Sequence, residues 1–380
     1  MRILIATDAW RPQVNGVVRT LSAVIAELER RGHVVGLVSP DLFRSIACPT
    51  YPEIRLALAT RRAVGGRIED FGPDAIHIAT EGPLGLAVRR WCLRQGRPFT
   101  SAYHTQFPDY LARRTKLPPA LFWRYIRWFH GPAGAVLVST PTMMRLLDAH
   151  GLARTRLWGR GVDLACFRPD APPHPALAGL ERPIQLYVGR IAVEKNVESF
   201  LASPHPGAKV VVGEGPARAR LMRLHPDALF LGALHGEKLA SAYASADVFV
   251  FPSRTDTFGL VLIEALACGT PVAAFPVPGP LDLIGEEVGA LDPCLAAATA
   301  RALGRDRSQC TAYGQSFSWT RSADQFEAAL IPIRPAAALR PAAGPDPSRS
   351  ASHRRRGLAA GFASGRHRRQ RRGTGRGPPA

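Results

Sequence analysis

The chain has 380 residues and is 46% hydrophobic, enough for two domains of ordinary size, each with its own core. It contains no run of about 18 apolar residues that would span a bilayer, and its six cysteines are scattered without a CxxC pair or a Cys/His spacing suited to zinc, which points to reduced, structural thiols. The formal net charge is +19, yet residues 334–380 carry twelve arginines against one aspartate, so +11 of the excess lies in that tail.

The opening MRILIATDAW reads as a buried strand and lacks the charged, apolar and cleavage regions of a signal peptide, so a cytoplasmic chain is expected. Further strand candidates are Val34 to Val38, Ala75 to Ile78 and Ala135 to Ser139. Between the first two, VVRTLSAVIAELERRGHVV puts Leu21, Val24, Ile25 and Leu28 on one helical face and ends at Gly32. Strand, loop, helix, strand is the crossover that parallel sheets require, so residues 1–166 read as a Rossmann-like doubly wound domain. FRPDAPPHPALAGLERP, residues 167–183, favours extended chain and reads as a linker. The alternation restarts with IQLYVG, AKVVVG, ALFLG, DVFVF and TPVAAF, which makes 184–333 a second α/β domain facing the first across a ligand-binding cleft. Residues 334–380 have no hydrophobic period and are expected to be disordered. Three readings of this tail stand side by side: an arm for nucleic acid or anionic membrane, a solvated extension, and an out-of-frame end in an arginine-rich, lysine-poor chain.

Three loops follow predicted strands on the side where such domains bind ligands. In DAWRPQVNGVVR, Gly16 stands before a helix and lets a phosphate approach backbone amides, although it also serves to ease a turn. In VGRIAVEKN, Arg190 and Lys195 suit a diphosphate, Arg by bidentate grip and Lys as a point charge; solvated surface charges are the alternative. SRTDTFGLVLIEALACGTPV carries Asp256 before an apolar helix predicted to start near Phe258, and Glu264 inside it. A carboxylate among Leu260, Val261, Ile263 and Leu266 needs a partner. Phosphates capped by amides around Thr257, Phe258 and Gly259 would set Glu264 to accept from ribose hydroxyls and Asp256 from a transferred sugar, and an internal ion pair for Glu264 is the competing reading. No Asp-x-Asp occurs, so no metal held by paired carboxylates is expected, and Arg190 and Lys195 would neutralise the leaving diphosphate. GEGPAR, residues 213–218, is only a fragment of a dinucleotide fingerprint.

SRTDTFGLVLIEALACGTPV, VGRIAVEKN, RGVDLACFRP and WRPQVNGVVRTL together resemble the retaining, nucleotide-sugar-dependent glycosyltransferases of the GT-B fold, in the large fourth family. The likeness runs from Met1 to about Ile331. The family's acidic pair is usually Glu, seven residues, Glu; its form here, Asp256 and Glu264, resembles the branch of sulfoquinovosyl, glucuronosyl and mannosyl transferases for membrane lipids. The resemblance implies diphosphate contacts at Gly16, Arg190 and Lys195, a ribose contact at Glu264, and donor-sugar contacts at Asp256 and the amides of Phe258, Gly259 and Leu260. YHTQFPDY, Tyr103 to Tyr110, also resembles the family, whose histidine in this loop lies near the reacting carbon; here it is His104. The resemblance further implies front-face transfer, in which the leaving phosphate helps deprotonate the acceptor, and no protein nucleophile is assigned.

The expected activity is transfer of a hexosyl or hexuronosyl group from a UDP- or GDP-sugar to a membrane lipid such as diacylglycerol, by a cytoplasmic enzyme peripheral to the inner membrane face. Mannosyl transfer in polysaccharide or cell-envelope assembly is the alternative, and a nucleic-acid-binding protein working through its tail, a non-catalytic sugar-nucleotide binder and an epimerase are readings of other classes. For the acceptor, HIATEGPLG (77–85) lies after a strand, and WRYIRWFHG (123–131) mixes aromatic and basic residues in a way that suits either a membrane interface or a packed helix.

Overall fold

The computed structural model describes residues 1–13, 15–48, 51–104 and 116–333. In the first half the elements run β1 (Arg2–Ala6), α1 (Gly16–Arg30), β2 (Val34–Val38), a hairpin of β3 (Ser45–Cys48) and β4 (Tyr51–Ala57), α2 (Arg61–Phe71), β5 (Ala75–Ile78), α3 (Pro83–Arg94), β6 (Thr100–Tyr103), α4 (Pro119–His130), β7 (Ala135–Val138), α5 (Pro141–Ala149) and β8 (Thr155–Leu157). The second half continues with β9 (Gln185–Val188), α6 (Val197–Leu201), β10 (Lys209–Val212), α7 (Arg218–Leu224), β11 (Leu229–Gly232), α8 (Gly236–Ser245), β12 (Val248–Phe251), α9 (Leu260–Ala267), β13 (Val272–Ala274), α10 (Pro280–Leu283), β14 (Gly289–Leu291), α11 (Leu295–Ala302), α12 (Arg307–Gln315) and α13 (Trp319–Ala329).

Each half builds a parallel six-stranded sheet, in the orders β2-β1-β5-β6-β7-β8 and β11-β10-β9-β12-β13-β14. Most of the central strands are apolar on both faces because helices cover both, as crossover connections dictate. In the first sheet Leu4, Ile76 and Val136 pack toward Val88, Ile126 and Phe129, while Ile3 and Ile5 pack toward Leu21, Val24 and Leu28 of α1. The strand order reverses between β1 and β5 and between β9 and β12, and open α/β sheets bind ligands outside the carboxyl ends of strands at such switch points. The loop after the first of these strands leads into Gly16, and the other three contain Glu81, the Arg190–Lys195 pair and Asp256.

Two features depart from the expected organisation. The linker residues Phe167 and Leu177 are buried in the second domain's core, so 167–183 is not a free spacer. The final helix α13 leaves the second domain: Phe326, Ala329 and Leu330 pack with Ile3, Ile5 and Trp158, which corrects the assignment of all of 184–333 to the second domain. The two interdomain crossings therefore lie side by side, and Val162 N–H donates to the Phe317 carbonyl at 3.1 Å. The predicted tail, residues 334–380, lies outside the described residues. No described helix is long and apolar enough to cross a membrane.

Candidate functional site

The loop after β1 ends at Asn15, whose side chain accepts from Val17 N–H and Val18 N–H at 3.0 Å each and caps α1. Gly16, the first helical residue, faces the other domain: a Cβ there would stand 3.8 Å from Leu260 Cδ1. One turn further on, Arg19 reaches across to form an ion pair with Glu264, whose side chain is 2% exposed. The Tyr243 hydroxyl on α8 donates to the other Glu264 oxygen at 3.2 Å. Burial disfavours the charge on Arg19, but Glu264 more than offsets this and holds its pKa above the usual value. Burial and then Glu264 push the Tyr243 phenol well up. The apolar surroundings of Glu264 thus do contain a partner, and the internal ion pair weighed from sequence is present.

Helix α9 begins at Leu260 and not near Phe258, because Gly259 takes a left-handed conformation with φ 90°. A side chain there would crowd Leu262 and Phe251 besides straining the backbone. Glu264 consequently sits four residues into the helix, about 6 Å along its axis, closer to the free amides than sequence spacing suggested. The Phe258 ring itself is core, edge-on to Phe317, so only its backbone is available to a ligand.

Lys195 lies at the end of a short 3₁₀ turn, Val193–Lys195, that closes on Asn196 in a left-handed conformation. Its ammonium donates to Asp256 Oδ1 at 2.5 Å, while Asp256 Oδ2 is buried without a partner among the described residues. Arg190 lies 3.9 Å from Glu194 and is 41% exposed. Of the predicted cationic and acidic residues of this domain, Lys195 and Asp256 are thus in direct contact, while Glu264 pairs with Arg19 of the other domain.

His104 follows β6 directly, beside the loop of Asp256, where its backbone carbonyl accepts from Thr257 Oγ1 at 2.8 Å and Ser139 Oγ donates to the Thr257 carbonyl at 3.3 Å. Its Nδ1 receives a hydrogen bond from Arg160 at 3.1 Å, and its ring stands edge-on to Trp158. Burial, then the Arg160 cation, hold the imidazole pKa well below 6.5. The remainder of YHTQFPDY after His104 lies outside the described residues.

On the first domain's side, buried Asp8 accepts from Thr80 Oγ1 at 2.8 Å, Leu84 N–H at 2.8 Å and Gly85 N–H at 3.3 Å, and so ties the loop after β5 to β1. Burial raises its pKa against those hydrogen bonds. Glu81 in that loop pairs with His130 Nε2 at 3.2 Å and accepts at its carbonyl from Tyr125 of α4 at 2.6 Å. A groove of 750 Å³ opens beside Arg19, lined also by Gln13, Asp163 and Trp319. Sequence reasoning did not single out Arg19, Tyr243, Arg160 or Asp8; Asp8 and Arg19 bound the motif DAWRPQVNGVVR and Arg160 opens RGVDLACFRP, while Tyr243 carried no local signal.

Two Rossmann-like domains facing across such a cleft form the GT-B architecture. Residues 14–165 match the domain family described as Glycosyltransferase Family 4, and residues 182–305 that described as Glycosyl transferases group 1. A GDP-mannose-dependent alpha-mannosyltransferase of Mycolicibacterium smegmatis is 33% identical over 75% of this chain and 82% of its own. A sulfoquinovosyl transferase of Arabidopsis thaliana is 35% identical over 64% of this chain and 51% of its own. An alpha-monoglucosyldiacylglycerol synthase of Streptococcus pneumoniae is 28% identical over 77% of this chain and 75% of its own. Among solved structures, sucrose-phosphate synthase from Thermosynechococcus elongatus shares the fold with a TM-score of 0.72 at 24% identity, covering 86% of this chain and 97% of that one.

These likenesses define the class, a nucleotide-sugar-dependent glycosyltransferase of the GT-B fold. The chain belongs to glycosyltransferase family 4.

Proposed function

We propose that the enzyme moves a hexosyl or hexuronosyl group, with retention, from a UDP- or GDP-sugar to a membrane lipid such as diacylglycerol. The observation that carries the donor half is the Lys195–Asp256 pair, which joins two switch-point loops, flanked by the Gly16–Leu260 approach and the Arg19–Glu264 pair, which join the two domains. In this reading the diphosphate lies against Arg190, Lys195 and the amides at the start of α9, near Gly16. Glu264 accepts from the ribose hydroxyls, sharing its carboxylate with Arg19 or exchanging that partner. Asp256 accepts from the transferred sugar, and its unpartnered oxygen supports that role. Arg190 and Lys195 neutralise the leaving diphosphate without a metal, and the phosphate takes the acceptor's proton on the same face.

The acceptor half is supported by the diacylglycerol product in the name of the pneumococcal relative and by α4. Trp123, Ile126 and Phe129 of that helix face the core, while Leu121, Tyr125 and Trp128, spaced i, i+4, i+7, are exposed beside exposed Arg124 and Arg127. No acid occurs between Asp109 and Asp148, so this surface complements anionic lipid headgroups. Peripheral attachment of a cytoplasmic enzyme to the inner membrane face follows from this reading. A second reading, mannosyl transfer from GDP-mannose in cell-envelope assembly, is favoured by the mycobacterial relative's name.

A panel of UDP- and GDP-sugars scored by thermal shift tests the donor half, because a ligand that binds the native state raises apparent stability. The best stabiliser is then incubated with diacylglycerol vesicles and the product's anomeric configuration read by NMR. Stabilisation by no sugar nucleotide overturns the donor assignment. Transfer confined to soluble glycans overturns the lipid acceptor.

A further inference from the structure

Arg160 lies on the crossing between the domains, where its buried guanidinium donates to the Trp158 carbonyl at 2.5 Å, the Gly159 carbonyl at 3.2 Å and His104 Nδ1 at 3.1 Å. Helix α13 braces this segment: Trp158 Nε1 donates to Ser322 Oγ at 3.1 Å, and Gly159 N–H to Gln325 Oε1 at 2.7 Å. We propose that Arg160 is a positioning residue that fixes His104 in its Nε2–H tautomer, so that His104 serves transfer as a hydrogen-bond donor to a substrate oxygen and not as a base. The role rests on the reading that His104 lines the transfer site.

A guanidinium has donors and no acceptor, so the Nδ1 facing it must carry the lone pair. A neutral imidazole has one N–H, which is therefore on Nε2. The ring stays neutral because burial and the adjacent Arg160 cation both oppose a second proton. Nε2 is shielded from solvent and has no acceptor among the described residues. A buried donor is costly to leave unsatisfied; the His104 carbonyl accepts from Thr257 Oγ1, so the residue borders the loop of Asp256, where, on the proposed reading, a bound sugar would bring hydroxyl oxygens. His77 also buries an unpartnered Nε2, but Trp158 and Phe326 wall it in, away from the cleft loops. A general base would turn its lone pair toward the substrate. Here the lone pair is committed to Arg160.

Nitrogen-15 NMR of the imidazole side chains in the full chain, with His104→Gln identifying the resonance, reads the tautomer without disturbing the site. The expected spectrum has a protonated Nε2 and a bare Nδ1 at neutral pH; a protonated Nδ1 overturns the proposal. Arg160→Met should mix the tautomers and lower kcat about 10- to 100-fold, with KM for GDP-mannose or UDP-glucose, whichever is the substrate, nearly unchanged. Arg160→Lys, which keeps one donor, should restore much of the loss. His104→Gln carries an amide N–H near the position of Nε2–H and should retain far more kcat than His104→Ala. If both variants are equally inactive while folded, the donor role falls. If His104→Ala transfers normally while the spectrum is as expected, the tautomer stands, but His104 is outside the transfer site and the proposed role falls with that reading.

Discussion

Arg19 on α1 and Glu264 on α9 join the two domains through one ion pair, made by a half-exposed guanidinium and a carboxylate out of solvent. Removing one partner of a fully buried pair costs about 3–5 kcal/mol, but the Arg19 side chain is 42% exposed and is screened accordingly. A double-mutant cycle of Arg19→Met and Glu264→Gln is expected to give a coupling of about 1–2 kcal/mol in urea unfolding. Additive effects would mean that the contact holds nothing together.

The two acids should separate by ligand. Glu264→Gln replaces a charged acceptor of ribose hydroxyls with an amide, so both the nucleoside diphosphate and the intact sugar nucleotide should bind less well, by about tenfold or more in calorimetry. Asp256→Asn should spare the nucleoside diphosphate and weaken only the intact donor. Equal losses for both ligands in Asp256→Asn would remove Asp256 from the sugar site.

Lys195→Ala and Arg190→Ala should each cost about 1.5–3 kcal/mol in nucleoside diphosphate affinity while leaving nucleoside affinity unchanged. Lys195→Ala also strips Asp256 of its cation, so its loss with the intact donor should exceed that of Arg190→Ala. Parallel losses for nucleoside and diphosphate would show that these cations only hold the fold.

His77 lies between Trp158 and Phe326, and burial pushes its pKa down to about 3. Below pH 6.5 the unfolded chain takes up a proton there that the folded chain refuses. Stability should therefore fall as pH drops from 6.5 toward 3, by up to about 1.4 kcal/mol per unit from this residue alone. His104, depressed in the same direction, adds to the trend. Unfolding free energies of wild type and His77→Asn at pH 6.5 and 5 should diverge in slope, and parallel slopes would contradict a neutral His77.

Leu121→Glu and Trp128→Glu change exposed positions on α4. Each should weaken sedimentation with anionic vesicles about tenfold, leaving thermal stabilisation by the donor intact. Unchanged vesicle binding would assign that stripe another role.

Periodicity alone located β1, β2, β5, β7 and the second domain's strands β9 to β13, because strands buried on both faces are written as short apolar runs. β6, Thr100–Tyr103, was not legible: its TSAY is fully buried yet has no apolar run, the Thr100 and Ser101 hydroxyls being satisfied by His77 and His130. β8 carries Arg156 and β14 opens on Gly289, so neither makes the apolar run that marks β13, a strand of the same length. The helix predicted to start near Phe258 begins two residues later, at Leu260, because Gly259 takes φ 90°, which the neighbouring residue types do not reveal.

The sequence by itself determined the two alternating domains, the loops that carry the candidate site residues, and a carboxylate at Glu264 that needed a partner. All of these follow from local chemistry: hydrophobic period, glycine at helix starts, and the cost of an unpaired charge. Only the tertiary structure decided which partners meet. Arg19 lies 245 residues from Glu264, Arg160 lies 56 from His104, and α13 returns to the first domain although it follows the second in the chain. Such pairings are set by how the sheets face each other and where the chain crosses between them, and neither leaves a pattern in neighbouring residues.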